Sequence, residues 1–106
     1  MLSEKDRHIA EILATRLRER YPEAEVWVFG SRVRGDADPE SDLDVCVILE
    51  RWSEEADKEI CHVAWEIGFD EGMVISTVVF SREEFERGPC SVGPFVRAVR
   101  EEGVSV

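Results

Sequence analysis

Two short features of this sequence combine residue types and spacing that could do chemistry. The first is Gly30-Ser31, which closes the strand-like run Glu25-Val26-Trp27-Val28-Phe29. A glycine at a strand end lets the backbone turn tightly and come close to a ligand. The serine offers a hydroxyl and its own N–H, and a helical turn behind it would present further amides. Together these make a nest for an anion such as a triphosphate. The second feature is Asp42 and Asp44, at the head of Asp42-Leu43-Asp44-Val45-Cys46-Val47-Ile48-Leu49. Residues i and i+2 of a strand share a face, about 7 Å apart. Two carboxylates so placed can share a pair of divalent ions roughly 3.5–4 Å apart, and Mg2+ suits such oxygen ligands together with phosphate. The competing reading makes Asp42 a turn cap and Asp44 a solvated acid at a sheet edge. The apolar run behind them argues against it, because a charge at the mouth of a buried strand is costly unless ligated or paired.

Ten residues separate Ser31 from Asp42, and the whole stretch reads GSRVRGDADPESDLD. It resembles the Gly-Ser, ten-residue, Asp-x-Asp signature of the DNA polymerase beta-like nucleotidyltransferase superfamily. In detail it is similar to the minimal nucleotidyltransferases of bacteria and archaea, whose usual opening is GSRARG followed by SDxD. The helix ahead of the motif, the strand order behind it and the closing PFVRAVREEGV look alike too, so the resemblance covers most of the chain.

That resemblance implies a nucleotidyltransferase fold and a set of roles. Gly30 and Ser31 would hold the terminal phosphates of ATP or another NTP. Asp42 and Asp44 would be the catalytic acids, binding Mg2+ or Mn2+ that bridges the phosphates and polarises the α-phosphorus. Arg32 and Arg34 match the family's arginines in the same turn. Either forks onto phosphate oxygens or is held locally by Asp36, Asp38 or Glu40. Those three acids otherwise read as loop solvation that gathers divalent cations. Active members add a third carboxylate from a neighbouring strand, but the candidate strand Met73-Val74-Ile75-Ser76-Thr77-Val78-Val79-Phe80 contains no acid. Ser76 or Thr77 stands where that acid is expected, with Asp70 and Glu71 just upstream as substitutes. The expected reaction is transfer of a nucleoside monophosphate, AMP by preference, to a hydroxyl on a partner protein. The family implies a HEPN-type helical partner, in some pairs a toxin neutralised by this protein as antitoxin. The alternative is an antitoxin that holds nucleotide or metal and turns over little. The family's larger members carry a second, acceptor-gripping domain, whereas residues 1–106 here read as a single domain.

The elements that must position these residues follow from pattern. Ser3 precedes an apolar-periodic segment, Ile9, Ile12, Leu13 and Leu17, and Ser3 with Asp6 makes a capping-box signature, so residues 3–20 read as an amphipathic helix. Residues 25–29 and 42–49 read as strands, the second apolar enough to be covered on both faces. The link between them is too short for a crossover helix, so they should be antiparallel neighbours, with one helical turn at the start of the loop. A helix over 53–68 should begin at Ser53, bury Ile60, Val63, Ala64 and Ile67, and end at Gly68. Its acids Glu54, Glu55, Asp57 and Glu59 read as a solvated, dipole-compatible start. Cys61 and Trp65 fall off the stripe, and Trp52 flanks the same helix, so this face is a candidate contact with another chain. A third strand over 73–80, a short helix capped by Ser81 and Glu84, a helix from Pro94 to Gly103 and an edge strand in the tail complete an α/β (α+β) domain with a small mixed sheet.

Composition narrows the field. With 106 residues and 43% hydrophobic residues the chain suits one globular domain with a thin core. A net charge of −11 and the absence of any basic run oppose a grip on DNA or RNA and favour a basic protein surface or a metal-borne nucleotide. Apolar runs are too short for a membrane span, and the charged N-terminus is unlike a signal peptide. A cytoplasmic location is therefore expected, with self-association left open. Cys46, Cys61 and Cys90, with only His8 and His62 beside them, fit neither a disulfide framework nor a zinc site. They read as small buried or half-buried residues.

Overall fold

A computed structural model describes residues 2–35 and 41–106, apart from the Cys90 side chain. The readings of Asp36, Asp38 and Glu40 and of Cys90 fall outside the described residues. A helix α1 (Glu4–Arg20) leads into strand β1 (Glu25–Phe29), the one-turn helix α2 (Ser31–Arg34) and strand β2 (Leu43–Leu49). Helix α3 (Glu54–Glu71) crosses to strand β3 (Ile75–Ser81), followed by α4 (Arg82–Arg87), a 3-10 turn over Pro89–Val92, α5 (Pro94–Glu102) and the two-residue strand β4 (Val104–Ser105).

The sheet order is β3-β2-β1-β4. β1 pairs antiparallel with β2 and β4, while β2 pairs parallel with β3, as the long α3 crossover permits. The mixed sheet and the antiparallel β1–β2 neighbours agree with the sequence reading. β2 is central and covered on both faces, which is why its sequence is continuously apolar from Val45 onward. One face carries Val26, Val28, Val45, Val47 and Leu49 against Ile9, Leu13 and Leu17 of α1 and Ile60, Ala64 and Ile67 of α3. The other carries Cys46 and Ile48 against Phe85, Val96 and Val99 of α4 and α5. Cys46 is fully buried there, and its thiol is pushed up to about 12, chiefly by burial and then by the charge of Glu25. Among the described residues no helix is long and apolar enough to cross a membrane.

Boundaries differ from expectation at α3. Gly68 lies inside the helix, which runs on to Glu71 and stops at Gly72, φ +70°. Gly72 takes the left-handed cap that was expected of Gly68. Gly68 instead lets the returning chain pass: a Cβ there would stand 2.4 Å from the Met73 carbonyl oxygen, and the Met73 amide donates to Gly68 O at 2.8 Å. β3 accordingly starts at Ile75, two residues later than expected. Cys61, expected at least half-buried, is exposed on the outer side of α3, as are Trp65 and Trp52. Glu59 does more than solvate the start of α3: it accepts from Tyr21 Oη at 2.7 Å and pairs with Arg20 at 3.0 Å, tying α3 to the end of α1.

The two-faced burial of β2 has a direct consequence. Val47 is fully buried between Val26 and Val79. Val47→Asp places an unpaired charge there at a cost of several kcal/mol, a large share of a stability on the order of 5–15 kcal/mol. The variant should lose its cooperative urea transition and its helical circular dichroism at 25 °C.

Candidate functional site

Gly30 and Asp44 meet where β1 ends and β2 begins. In the β1–β2 register Phe29 lies opposite Asp44, so Gly30 is the next residue past the carboxylate. Gly30 adopts φ +87°, where only glycine is at ease, and a Cβ built on it would stand 2.4 Å from Asp44 Oδ2. The two halves of the motif are therefore in contact, and each fixes the other. The carbonyl of Gly30 then accepts from the Val33 and Arg34 amides, both at 3.1 Å, which sets Ser31 and Arg32 at the open start of the α2 turn.

Strand alternation puts Asp44 on the face of Cys46 and Ile48, at the end left open by α4 and α5. Asp44 is half-buried, whereas Asp42, just before the strand, is exposed. Burial pushes the Asp44 carboxyl above the ordinary carboxylate range, the negative charge of Asp42 adds to this, and Arg34 pulls back. A half-buried acid with a second acid two residues away, both hard oxygen donors with no side-chain hydrogen bond or ion pair to any described residue, fits a divalent cation. Among the described residues no cluster of three or more His, Cys, Asp or Glu side chains surrounds such a position.

The remaining expected residues divide. Arg34 is exposed on the Asp44 side and pairs with Glu102 of α5 at 3.2 Å. Arg32 turns the other way. Its Nη1 donates to both carboxylate oxygens of Asp6 at 3.1 Å and its Nε to the Ser41 carbonyl at 2.8 Å. In the β2–β3 register Ser76 lies beside Asp44 on the site face, while Thr77 pairs with Val45 and points to the opposite face. Asp70 and Glu71 close α3, which packs on that opposite face.

Asp6 is the residue that sequence reasoning misjudged. Ser3 does accept from the Asp6 amide at 3.1 Å, but the Asp6 carboxylate reaches Arg32 rather than closing a capping box. At 4% exposure it is a buried charge, and the signal was present: Asp6 sits on the i, i+3, i+4, i+7 stripe with Ile9, Ala10 and Leu13. An acid on a buried stripe calls for a buried cation. Arg32 supplies it, and by gripping Ser41 it also fixes the residue immediately before Asp42.

A sequence model of the nucleotidyltransferase domain matches residues 10–104. The chain belongs to that family. Over 39 residues it is 49% identical to a Haemophilus influenzae protein named protein adenylyltransferase MntA, a match covering 37% of this chain and 34% of that protein. The matched part thus spans about a third of that relative's length. The fold is similar to a crystal structure described as a candidate nucleotidyltransferase from Sulfolobus solfataricus, with TM-score 0.54 and 19% identity, covering 92% of this chain and 76% of the other. It is also similar to a chain of a toxin–antitoxin structure with AMP-PNP, with TM-score 0.58 and 18% identity, covering 90% of this chain and 70% of that one.

Two outcomes follow for this nucleotidyltransferase domain. Asp6→Asn removes the carboxylate charge that the nearly buried Arg32 meets at 3.1 Å, and breaking such a pair costs about 3 kcal/mol; urea denaturation should show a lower midpoint at unchanged slope. For Asp44, a raised carboxyl means that the folded state binds the extra proton. Its stabilising share is complete below the ordinary carboxylate pKa and is lost as pH rises through the raised value. Above that raised value the charged Asp44 costs stability, so at alkaline pH Asp44→Asn should melt at a higher temperature than the parent in EDTA. A lower melting temperature would show that the carboxylate is structural.

Proposed function

We propose that the domain transfers a nucleoside monophosphate, AMP by preference, from an NTP to a hydroxyl of a partner protein. The observation that carries this reading is the contact between Gly30 and the Asp44 carboxylate, which sets an anion-accepting turn directly against an acid pair. Gly30 and Ser31 receive the terminal phosphates at the α2 turn, and Arg34 balances their charge. Asp42 and Asp44 hold Mg2+ or Mn2+, which when bound supplies charge neutralisation at the phosphates. The acceptor oxygen bonds to the α-phosphorus in line with the departing pyrophosphate, and the orienting groups are fixed before it arrives. Arg32 acts through Ser41, keeping Asp42 in place rather than touching phosphate. The cytoplasm, rich in Mg-ATP, is the compartment this chemistry suits, and residues 1–106 act as one catalytic unit. Likeness to a named adenylyltransferase supports AMP as the group, and likeness to a toxin–antitoxin chain supports a protein partner; the helical HEPN type is what the resemblance of the motif implies.

A second reading has its own observation. Ser76, not an acid, lies in register with Asp44, so the departing hydroxyl proton has no carboxylate on β3 to receive it. Losing a general base typically costs about 10²–10⁴ in rate. In this reading the domain is an antitoxin that binds nucleotide and partner and turns over slowly.

Mn2+ with ATP, at about a hundred times the dissociation constant, should add roughly 2.7 kcal/mol of stability. The effect should vanish in Asp44→Asn. An unchanged melting temperature in millimolar Mn-ATP at fixed pH and salt would refute the site. Mass spectrometry of a co-expressed HEPN-type protein then separates the readings: a gain of AMP mass dependent on Asp42 and Asp44 supports transfer, whereas co-purification without added mass supports the binding antitoxin.

A further inference from the structure

The outer face of α3 carries apolar surface that the domain core does not use. Trp65 is 62% and Phe69 73% exposed, and Val74 beside them is 62% exposed. The rings are ordered into a ladder: His62 stacks on Trp65 at 6.4 Å between centroids, and Trp65 on Phe69 at 5.5 Å. A groove of about 550 Å3 runs between this ladder and the entry to β3, bordered by Cys61, Trp65, Phe69 and Val74. Gly72, which caps α3, also lines it with nothing within 4 Å of where a side chain would stand, so another backbone can come close there. One end of the groove is closed by Arg32 and Ser41, the two residues that set Asp42.

Among the described residues no Asp or Glu lines the groove itself; the charge of the helix that forms its wall selects its occupant. α3 bears seven Asp and Glu residues against one Lys, and the chain as a whole carries −11. A second copy would set this acidic helix against its own image, which like-charge repulsion opposes. Nucleic acid and anionic lipid are opposed on the same ground. A helix whose apolar ridge is flanked by Lys and Arg meets both demands: its ridge fills the groove and its flanks face the acids.

We infer that the α3–β3 groove docks the apolar ridge of a basic amphipathic helix from another protein. This deepens the partner reading above and rests on it for the partner being a protein; docking itself needs neither metal nor nucleotide. Pre-stacked aromatic rings lower the ordering cost of binding, and exposed Trp and Phe in a glycine-lined groove are suited to be anchors.

The test is a 15N-edited NMR titration with three synthetic helical peptides: Leu-ridged with Lys flanks, Leu-ridged with Glu flanks, and a scrambled isomer of the Lys peptide without a ridge. The Lys-flanked peptide should shift amides within 61–75, and Trp65→Glu or Phe69→Ser should weaken it at least about tenfold, as removal of an anchor does. Both positions are exposed, so these variants should keep the parent's dispersed spectrum. Equal binding of the scrambled isomer, equal binding of the Glu-flanked peptide, or binding unaffected by both variants would overturn the inference. So would concentration-dependent shifts of the same amides without peptide, which would make a second copy the occupant. A parallel titration with Mn-free Mg-ATP reads residues 30–44 in parent and Trp65→Glu alike. Its failure would sink the proposed chemistry and leave the docking result standing.

Discussion

The Arg32 guanidinium is nearly enclosed, and three parts of the chain depend on where it is held. Asp6 anchors it to the first turns of α1, its own backbone belongs to the α2 turn, and its Nε holds the carbonyl of Ser41. Arg32 of the α2 turn and Ser41 ahead of β2 are therefore held together at that cation. Without it, the turn that follows Gly30 and the residue that precedes Asp42 would lose their shared tie to α1. Burying an ion pair rarely adds net stability compared with a well-packed apolar pair, because desolvation offsets most of the attraction. What it adds here is placement, since a guanidinium has fixed donor directions that a packed methyl group lacks.

Around that cation the sheet divides its tasks by face. The α1–α3 face is a conventional apolar core. The α4–α5 face is covered only in part, by an aromatic group in which Phe95 meets Phe29 at 5.0 Å and Phe80 at 5.8 Å. Asp44 stands half-buried on that face at the head of β2. The same strand thus runs from a half-buried acid into a fully buried hydrophobic stretch within two residues, and the raised proton affinity of Asp44 is the electrostatic trace of that transition.

Much of this was legible from residue types because the signals were local. Strand propensity ending at Gly30, the apolar run after Asp44, the Ser81–Glu84 capping box and the Pro94–Gly103 helix each depend on neighbours within a few positions, and each appears in the structure. What was misjudged depends on contacts distant in sequence. Gly68 looked like a stop because glycine favours helix ends, yet its reason is the close return of Met73. For Arg32 the loop acids offered to it lie outside the described residues, and Asp6, 26 positions upstream on another element, is a partner that the local pattern did not name. Only the stripe position of Asp6 hinted at it. Between Ser76 and Thr77, only the β2–β3 register decides which stands beside Asp44, and it is Ser76.

Cys46 gives this molecule a chemical clock for its own opening. The thiol is sealed between the sheet and the C-terminal helices and holds its proton to a pH near 12, so it is doubly inert to alkylating reagents, which need both access and thiolate. Cys61, on the outer surface of α3, has no such seal. Modification at position 46 therefore counts excursions in which the central strand leaves its cover, while modification at position 61 counts only time. The ratio of the two, followed by peptide mapping in native buffer, would read the frequency of the rarest motions of the sheet without any denaturant.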